Sequence, residues 1–452
     1  MNGTKDGWIG SRQGLLLLML TRSSTLAAIA LCLLPLSGSG QSSLTSKEQA
    51  LVAYVDAHDA EALALLERAV NINSGTQNFA GVRAVGKLFS TEFEALGFAT
   101  RWIDGAQFGR AGHLVAERAR PGKRFLLIGH LDTVFEPDSP FQKLERRDER
   151  RARGPGAIDM KGGDVIIVQA LKALKASGAL DRMNVTVVMT GDEEASGDPQ
   201  DAARAALVAA ATGVDVAIGF EDGAGDPKTA VIGRRGTTAW TLTVTGKPAH
   251  SSQIFRPDIG YGAIFEAARI LEAFRVALAG EPHLTFNPAL MVGGTKVELD
   301  VTQARGSAFG KDNVIPERAI ISGDLRALSK EQFASARKRM EEIVASSSLA
   351  QTTATIAFDE GYPPLAPTDG NRKLLALYDQ ASRDVGAGPV AAVDPDRAGA
   401  ADVSFVAGEV PMILDGIGMM GDGGHTVNET ADLSVLPSQT KRAALLLYRL
   451  SR

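Results

Sequence analysis

Two histidines and a scatter of carboxylates stand in short glycine-bearing stretches of this chain. In "GHLDTV" (129–134), directly after the apolar run that ends at Ile128, His130 and Asp132 lie two residues apart. Residues i and i+2 of a strand share a face, so an imidazole and a carboxylate can act together there. They could serve as a metal ligand with its orienting partner, or simply as a capped strand end. "GPGAIDMKGG" (154–163) carries Asp159 ahead of a glycine-rich helix start, and "TGDEEASG" (190–197) sets Glu193 beside Glu194 after an apolar run. Glu221, followed by Asp222, ends another such run, and "GDGGHTVNE" (421–429) holds His425 in a glycine-rich loop.

Taken singly, each has a plain structural explanation: Asp159 as a helix cap, the paired acids as solvated turns, His130 as a satisfied histidine at a strand end. Their joint placement at strand exits is what points to chemistry, because ligands of open α/β sheets bind beyond the carboxyl ends of the strands. Imidazole with carboxylate suits zinc, and a two-metal hydrolytic site needs a bridging carboxylate between ions roughly 3.5–4 Å apart. Two zinc ions would be offset by Asp159, Glu194, Glu221 and one bridging hydroxide, with both histidines neutral. Glu193 is then left over, pointing a different way from Glu194, to exchange a proton with a metal-activated water and the leaving nitrogen. Other divalent ions could fill the same positions.

The elements that must position these residues follow from periodicity. A helical pattern covers Ser46–Val70 and another Gly81–Leu96. Strand-like runs at 113–118, 124–134, 184–191 and 214–220 alternate with helices after Lys161 and at Asp201–Thr212, which predicts an α/β domain with a mostly parallel sheet flanked by helices. From about Arg234 the texture changes to strand 237–246, helix 260–278, strands 284–292 and 318–325, helix 330–344 and strand 352–358. That βαββαβ order predicts a small open-faced sheet. The first texture then returns with helix 371–385, the strand "VPMILDG" and helix 438–451. The expected division is therefore a catalytic domain in two parts (46–234 and 359–452) interrupted by an inserted domain (235–358).

Arg12 and Arg22 flank the apolar runs Leu15–Leu20 and Thr25–Leu36, and small residues follow in "SGSGQSS". Residues 1–40 thus read as a cleaved signal peptide, with an uncleaved anchor as the competing reading. An exported protein, periplasmic or secreted, with no stable membrane association after cleavage is the expectation. The single cysteine, Cys32, lies in that segment, so thiolate ligands, disulfides and cysteine nucleophiles drop out of the remainder. A formal net charge of −5 with no basic stripe argues against nucleic-acid binding.

These motifs, in this order and at these separations from about Ser46 onward, resemble the co-catalytic zinc peptidase family of glutamate carboxypeptidase, aminoacylase, succinyl-diaminopimelate desuccinylase and carnosinase. The resemblance implies that His130, Asp159 and Glu221 hold one zinc, that Asp159 bridges to a second, and that Glu194 and His425 complete that second site. It implies that Asp132 steadies His130 and that Glu193 is the general base. The inserted segment resembles the family's lid and dimerisation domain, which implies a homodimer. There His250, in "GKPAHSS", would reach a neighbouring subunit's active site.

By the same resemblance Asn313 and Arg326 would meet the substrate, the arginine clamping a free carboxylate through its planar donors. A surface pair between Arg326 and Asp324 is the structural alternative. "GAADVSF" around Asp402 departs from the family's glycine- and threonine-rich loop, and His113 stands where many relatives have asparagine. His58 and His283 read as surface residues. The expected activity is hydrolysis of an amide or peptide bond next to a free carboxylate, in a small peptide or N-acyl amino acid. Glutamate rather than aspartate at position 221 leans toward carboxypeptidase or deacylase action. A non-catalytic zinc-bound binding protein on the same scaffold is the alternative, and a metallo-phosphoesterase is a rival that the lack of a phosphate-cradling loop disfavours.

Overall fold

The apolar runs assemble into a six-stranded sheet in the spatial order Ala99–Asp104, Gly112–Arg118, Asn184–Thr190, Arg124–His130, Val216–Gly219 and Ile413–Leu414. The last four are parallel, and Gly112–Arg118 runs antiparallel to both of its neighbours. The computed structural model describes residues 44–300, 305–346 and 348–452, so the signal peptide expected at 1–40 lies outside the described residues. No helix among the described residues is long and apolar enough to cross a membrane.

Strand Arg124–His130 is buried from its second residue onward, which explains its uninterrupted apolar sequence: both faces of a parallel sheet are covered. Its side chains alternate between two cores. Phe125 and Leu127 join the larger one, with helices Ser46–Ala57, Asp59–Val70, Phe79–Ala95, Lys161–Ala176 and Val435–Leu450. Leu126 and Ile128 join the smaller one, beneath helix Gln200–Ala211 and the turn Asp402–Val406. Each such fully buried aliphatic side chain contributes about 1.5–3 kcal/mol. Because His130 pairs with Thr190 and Ile128 with Gly219, the parallel strands end at one edge. The segments bearing His130, Glu193, Glu194 and Glu221 leave the sheet together there.

The second sheet, in the order Thr285–Gly294, Arg318–Ala327, Gly236–Gly246, Thr352–Phe358, is wholly antiparallel. Gly236–Gly246 alternates buried with half-buried residues, as one covered face requires. Helices Gly262–Leu278 and Lys330–Ala345 share its core through Trp240, Phe274, Ile321 and Met340. The βαββαβ order is as the sequence predicts.

Some elements differ from expectation. The helical stretch from Ser46 to Val70 is two helices, broken at His58. The His58 imidazole stacks on Tyr54 and its Nδ1 approaches the Tyr54 carbonyl oxygen at 2.8 Å, occupying the acceptor that a continuing helix would need. Strand Ala99–Asp104, which carries no clear apolar alternation, and the antiparallel pair Lys296–Asp300 and Arg305–Phe309, of which only the first alternates, are additions. The last helix begins at Val435 rather than Ser438, because Pro437 sits in its first turn, where the missing N–H costs nothing.

Candidate metal centre

At the strand edge His130 is buried, and its Nδ1 faces Asp132, 3.1 Å from the backbone oxygen and 3.5 Å from Oδ1. That leaves Nε2 toward Asp159 Oδ1 at 3.0 Å and Glu221 Oε1 at 3.3 Å. The far loop brings His425 Nε2 to 2.9 Å from Asp159 Oδ2 and 3.2 Å from Glu194 Oε2. His425 has a positive φ of 60°, in a loop with Gly423 at φ 78°, and its side chain is 59% exposed. Asp159 therefore turns one oxygen to each histidine. Glu193 and Glu221 each set an oxygen within 4.8 Å of a His130 nitrogen, as do Asp159 and Glu194. The residues singled out as a ligand set converge.

Asp132 organises the centre without facing it. Besides His130, its carboxylate accepts the Thr76 hydroxyl at 2.7 Å and the backbone N–H groups of Glu193 at 3.0 Å and Glu194 at 3.2 Å. Burial works against charge on Asp132, yet these hydrogen bonds and His130 hold its pKa below the ordinary value.

Several supports were not singled out from sequence. Glu429, at the end of the His425 motif, accepts the N–H groups of Gly156, Ile158 and Asp159 at 3.1, 2.8 and 3.3 Å, fixing the Asp159 turn. Asp415 accepts the Glu221 N–H at 3.4 Å and pairs with buried Arg234 at 2.7 Å. Buried Arg204 pairs with Asp192 at 2.6 Å and Asp402 at 2.8 Å, and Asp402 accepts the Thr190 hydroxyl at 2.5 Å. The departure at Asp402 thus lies in a buried network behind Glu193. His113 is buried as well. Its Nδ1 accepts the Gly191 N–H at 3.2 Å and its Nε2 donates to the Ala203 carbonyl at 2.7 Å. Mid-helix Arg204 carries no local sequence signal, whereas Asp415 directly follows the apolar run of "VPMILDG", as Glu221 follows its own. Glu429 was visible only as part of a motif.

Crowded acids set the electrostatics. Burial opposes a charge on Asp159, but hydrogen bonds from His130 and His425 hold it far below the usual carboxylate range. Burial pushes Glu194 up to about 7, against the pull of His425, and raises Glu193 well above its ordinary value. Glu221 is raised by burial and by the charge of Asp159. Burial lowers His130, but Glu221 and the neighbouring carboxylates more than reverse this. Imidazole nitrogens and carboxylate oxygens that hold protons against one another in this way fit divalent cations, whose charge would displace those protons. The remaining cluster of candidate ligands among the described residues, His283 with Asp394 and Asp396, lies toward the surface, where Arg235 already pairs with Asp396 at 3.5 Å.

His250 and Asn313 come together elsewhere: His250 bridges to Val314, and Ser251 N–H donates to the Asn313 carbonyl at 2.9 Å. Arg326 pairs with Asp324 at 2.9 Å, the surface pair named as its structural alternative. Among the described residues, no hydrogen bond or ion pair found joins these three to the histidine–carboxylate cluster.

Residues 126–449 match the sequence profile of peptidase family M20/M25/M40. The chain belongs to that family. As an M20 protein it is a metal-dependent hydrolase, of the metallopeptidase and amidohydrolase kind that acts on peptide or acyl-amino-acid bonds. It is 28% identical over 392 residues to carboxypeptidase G2 of Pseudomonas sp. strain RS-16, covering 85% of this chain and 88% of that one. It is 27% identical over 372 residues to succinyl-diaminopimelate desuccinylase of Acidiphilium cryptum, covering 79% and 91%. The M20 fold is shared with aminopeptidase PepT from Bacillus cereus, at a TM-score of 0.70 and 18% identity over 87% of this chain and 99% of that one. Human carnosine dipeptidase 1 matches at 0.59 and 16% over 89% and 99%.

Proposed function

We propose that this M20 protein hydrolyses an amide or peptide bond beside a free carboxylate, with two zinc ions held by His130, Asp159, Glu194, Glu221 and His425. The observation that carries this reading is the split of Asp159: Oδ1 lies 3.0 Å from His130 and Oδ2 2.9 Å from His425, as a carboxylate between two ions requires. His130 and Glu221 stand on one side of it, His425 and Glu194 on the other. When bound, the ions would supply Lewis-acid polarisation of the scissile carbonyl and a water acidic enough to react near neutral pH.

The chain supplies the proton traffic. Glu193 is within reach of His130 but makes no ion pair with either histidine among the described residues. Its carboxylate takes the proton of the attacking water and returns it to the departing nitrogen. Asp132 keeps His130 turned with Nε2 inward, which fixes that ring as a ligand. The relatives' names, a carboxypeptidase and a desuccinylase, support a substrate that ends in a carboxylate. Arg326 and Asn313 would meet that group and His250 would serve a neighbouring subunit, with residues 235–358 acting as lid and dimer interface and the catalytic domain divided as 46–234 and 359–452. The non-catalytic alternative gains no support, since neither the base nor a ligand is missing. Export to the periplasm or beyond completes the reading and rests on the sequence of residues 1–40 alone.

The test is a panel of dipeptides and N-acyl amino acids incubated with metal-stripped protein, with and without added zinc, and followed by mass detection of products. Zinc-dependent release of a free amino acid is expected. Equal turnover by thoroughly stripped protein would sink the proposal.

A further inference from the structure

Where the chain returns from the second sheet to the first, Tyr362 belongs to both. Its backbone carbonyl accepts the Thr237 N–H at 3.0 Å, and Arg234 and Leu365 exchange hydrogen bonds of 2.9 and 3.0 Å, so the outgoing and returning segments are laced together. The approach is tight. A Cβ on Gly361 would lie 2.0 Å from the Thr237 carbonyl oxygen, and one on Gly236 would lie 2.5 Å from that of Tyr362.

The Tyr362 side chain leaves this lacing for the metal centre. Its hydroxyl donates to the backbone carbonyl of Glu193 at 2.8 Å and accepts from Arg204 Nη2 at 2.7 Å, while its ring stands edge-on to Phe405 at 4.9 Å. Arg204 also donates to the Asp192 carbonyl at 3.1 Å. On the opposite side Asp132 accepts the N–H groups of Glu193 and Glu194. Both peptide units flanking the Glu193 Cα are therefore held at both ends: the first by Arg204 and Asp132, the second by Tyr362 and Asp132. A general base must lie within hydrogen-bond reach of the proton it takes, and a small misplacement of such a group costs rate steeply.

We propose that Tyr362 is a positioning residue for the reaction, its hydroxyl setting the backbone of Glu193 from the segment that joins the two sheets. This rests on Glu193 being the base. Tyr362 touches neither ligand set nor reacting atoms. It acts through the carbonyl of Glu193, while Asp132 separately holds the Glu194 N–H of the same peptide, so its effect falls on turnover before metal retention or substrate affinity.

Tyr362→Phe isolates the point, because it keeps the ring against Phe405 and deletes one hydroxyl. Kinetics are measured on zinc-loaded protein with the most rapidly cleaved member of the dipeptide and N-acyl amino acid panel, and rates are expressed per zinc-binding molecule so that lost yield does not count. The expected result is a kcat at least tenfold lower, a KM within about twofold of native and unchanged zinc content. Phe405→Leu, which disturbs the ring contact but spares the hydroxyl, should lower the melting temperature and leave kcat alone. Equal kcat values for native protein and Tyr362→Phe, or equal losses in the two variants, would overturn the proposal and leave a packing role. Glu193→Gln runs in parallel: full turnover there defeats the assignment of the base itself, whereas a silent Glu193→Gln beside an undiminished Tyr362→Phe defeats only the role of Tyr362.

Discussion

Asp132 accepts the Glu193 N–H at 3.0 Å through the same oxygen that lies 3.5 Å from His130 Nδ1. One buried carboxylate thus fixes the ring of a proposed metal ligand and the backbone of the proposed base together. Asp132→Asn keeps the volume but loses the charge, and its amide must turn an NH2 group either toward the Glu193 N–H and His130 or toward the Glu194 N–H. Zinc affinity and kcat/KM should each fall by about 10–100-fold. Competition with a chelating indicator and steady-state kinetics check both; a drop in only one would separate two roles here assigned to a single group.

Glu193→Gln should retain zinc and lose turnover by roughly 10²–10⁴-fold, the usual contribution of a positioned base. Metal analysis of the purified variant beside its progress curves decides this. Loss of zinc along with activity would make Glu193 a ligand instead, a result its closeness to Glu221 renders informative.

Metal and pH should act on stability in opposite senses. In the metal-free protein burial raises Glu194 and Glu429 to about 7 from an ordinary 4.5. Between those values the folded chain holds more protons than the unfolded one, so this contribution is complete below 4.5 and fades as pH climbs to about 7. Zinc needs its ligands deprotonated and binds better as pH rises. The gap in melting temperature between zinc-loaded and chelated protein should therefore widen from pH 5 to 8, and a gap that narrowed would contradict it.

Phe255, Phe265 and Ile264 are 56, 51 and 40% exposed, and the two phenylalanine rings lie 5.8 Å apart. Such a patch on the helix side of the second sheet is costly to leave in water. If residues 235–358 mediate a dimer, Phe265→Asp should halve the mass seen by light scattering while leaving the melting temperature within a few degrees. An unchanged mass would place any interface elsewhere.

Much of the histidine–carboxylate cluster was legible because its signals are local. His130, Glu193, Glu194 and Glu221 follow apolar runs closely, and parallel strands then bring those exits together, whereas Asp159 and His425 reach them from a helix start and a glycine-rich loop outside that sheet. The order of the second sheet was legible for a like reason, since period-2 and period-3.6 patterns alternate cleanly in Gly236–Gly246 and Gly262–Leu278. What escaped depends on distant partners. Nothing near Arg204 announces that it will meet Asp402, nearly two hundred positions on, and nothing near Tyr362 announces Glu193. The break at His58 turned on a side chain competing for a helical carbonyl, which apolar periodicity does not register. Arg326 offered a substrate clamp or a partner for Asp324, and the folded chain displays the second.

Asp159 and His425 meet across 266 positions of sequence. A chain still emerging from the ribosome cannot own this cage, for its final corner is not yet synthesised. On the proposed assignment His130, Asp159 and Glu221 could hold one cation earlier, but the second waits until the last tenth of the polypeptide has docked, so a truncated or stalled product would lack half of the pair and be inert from birth.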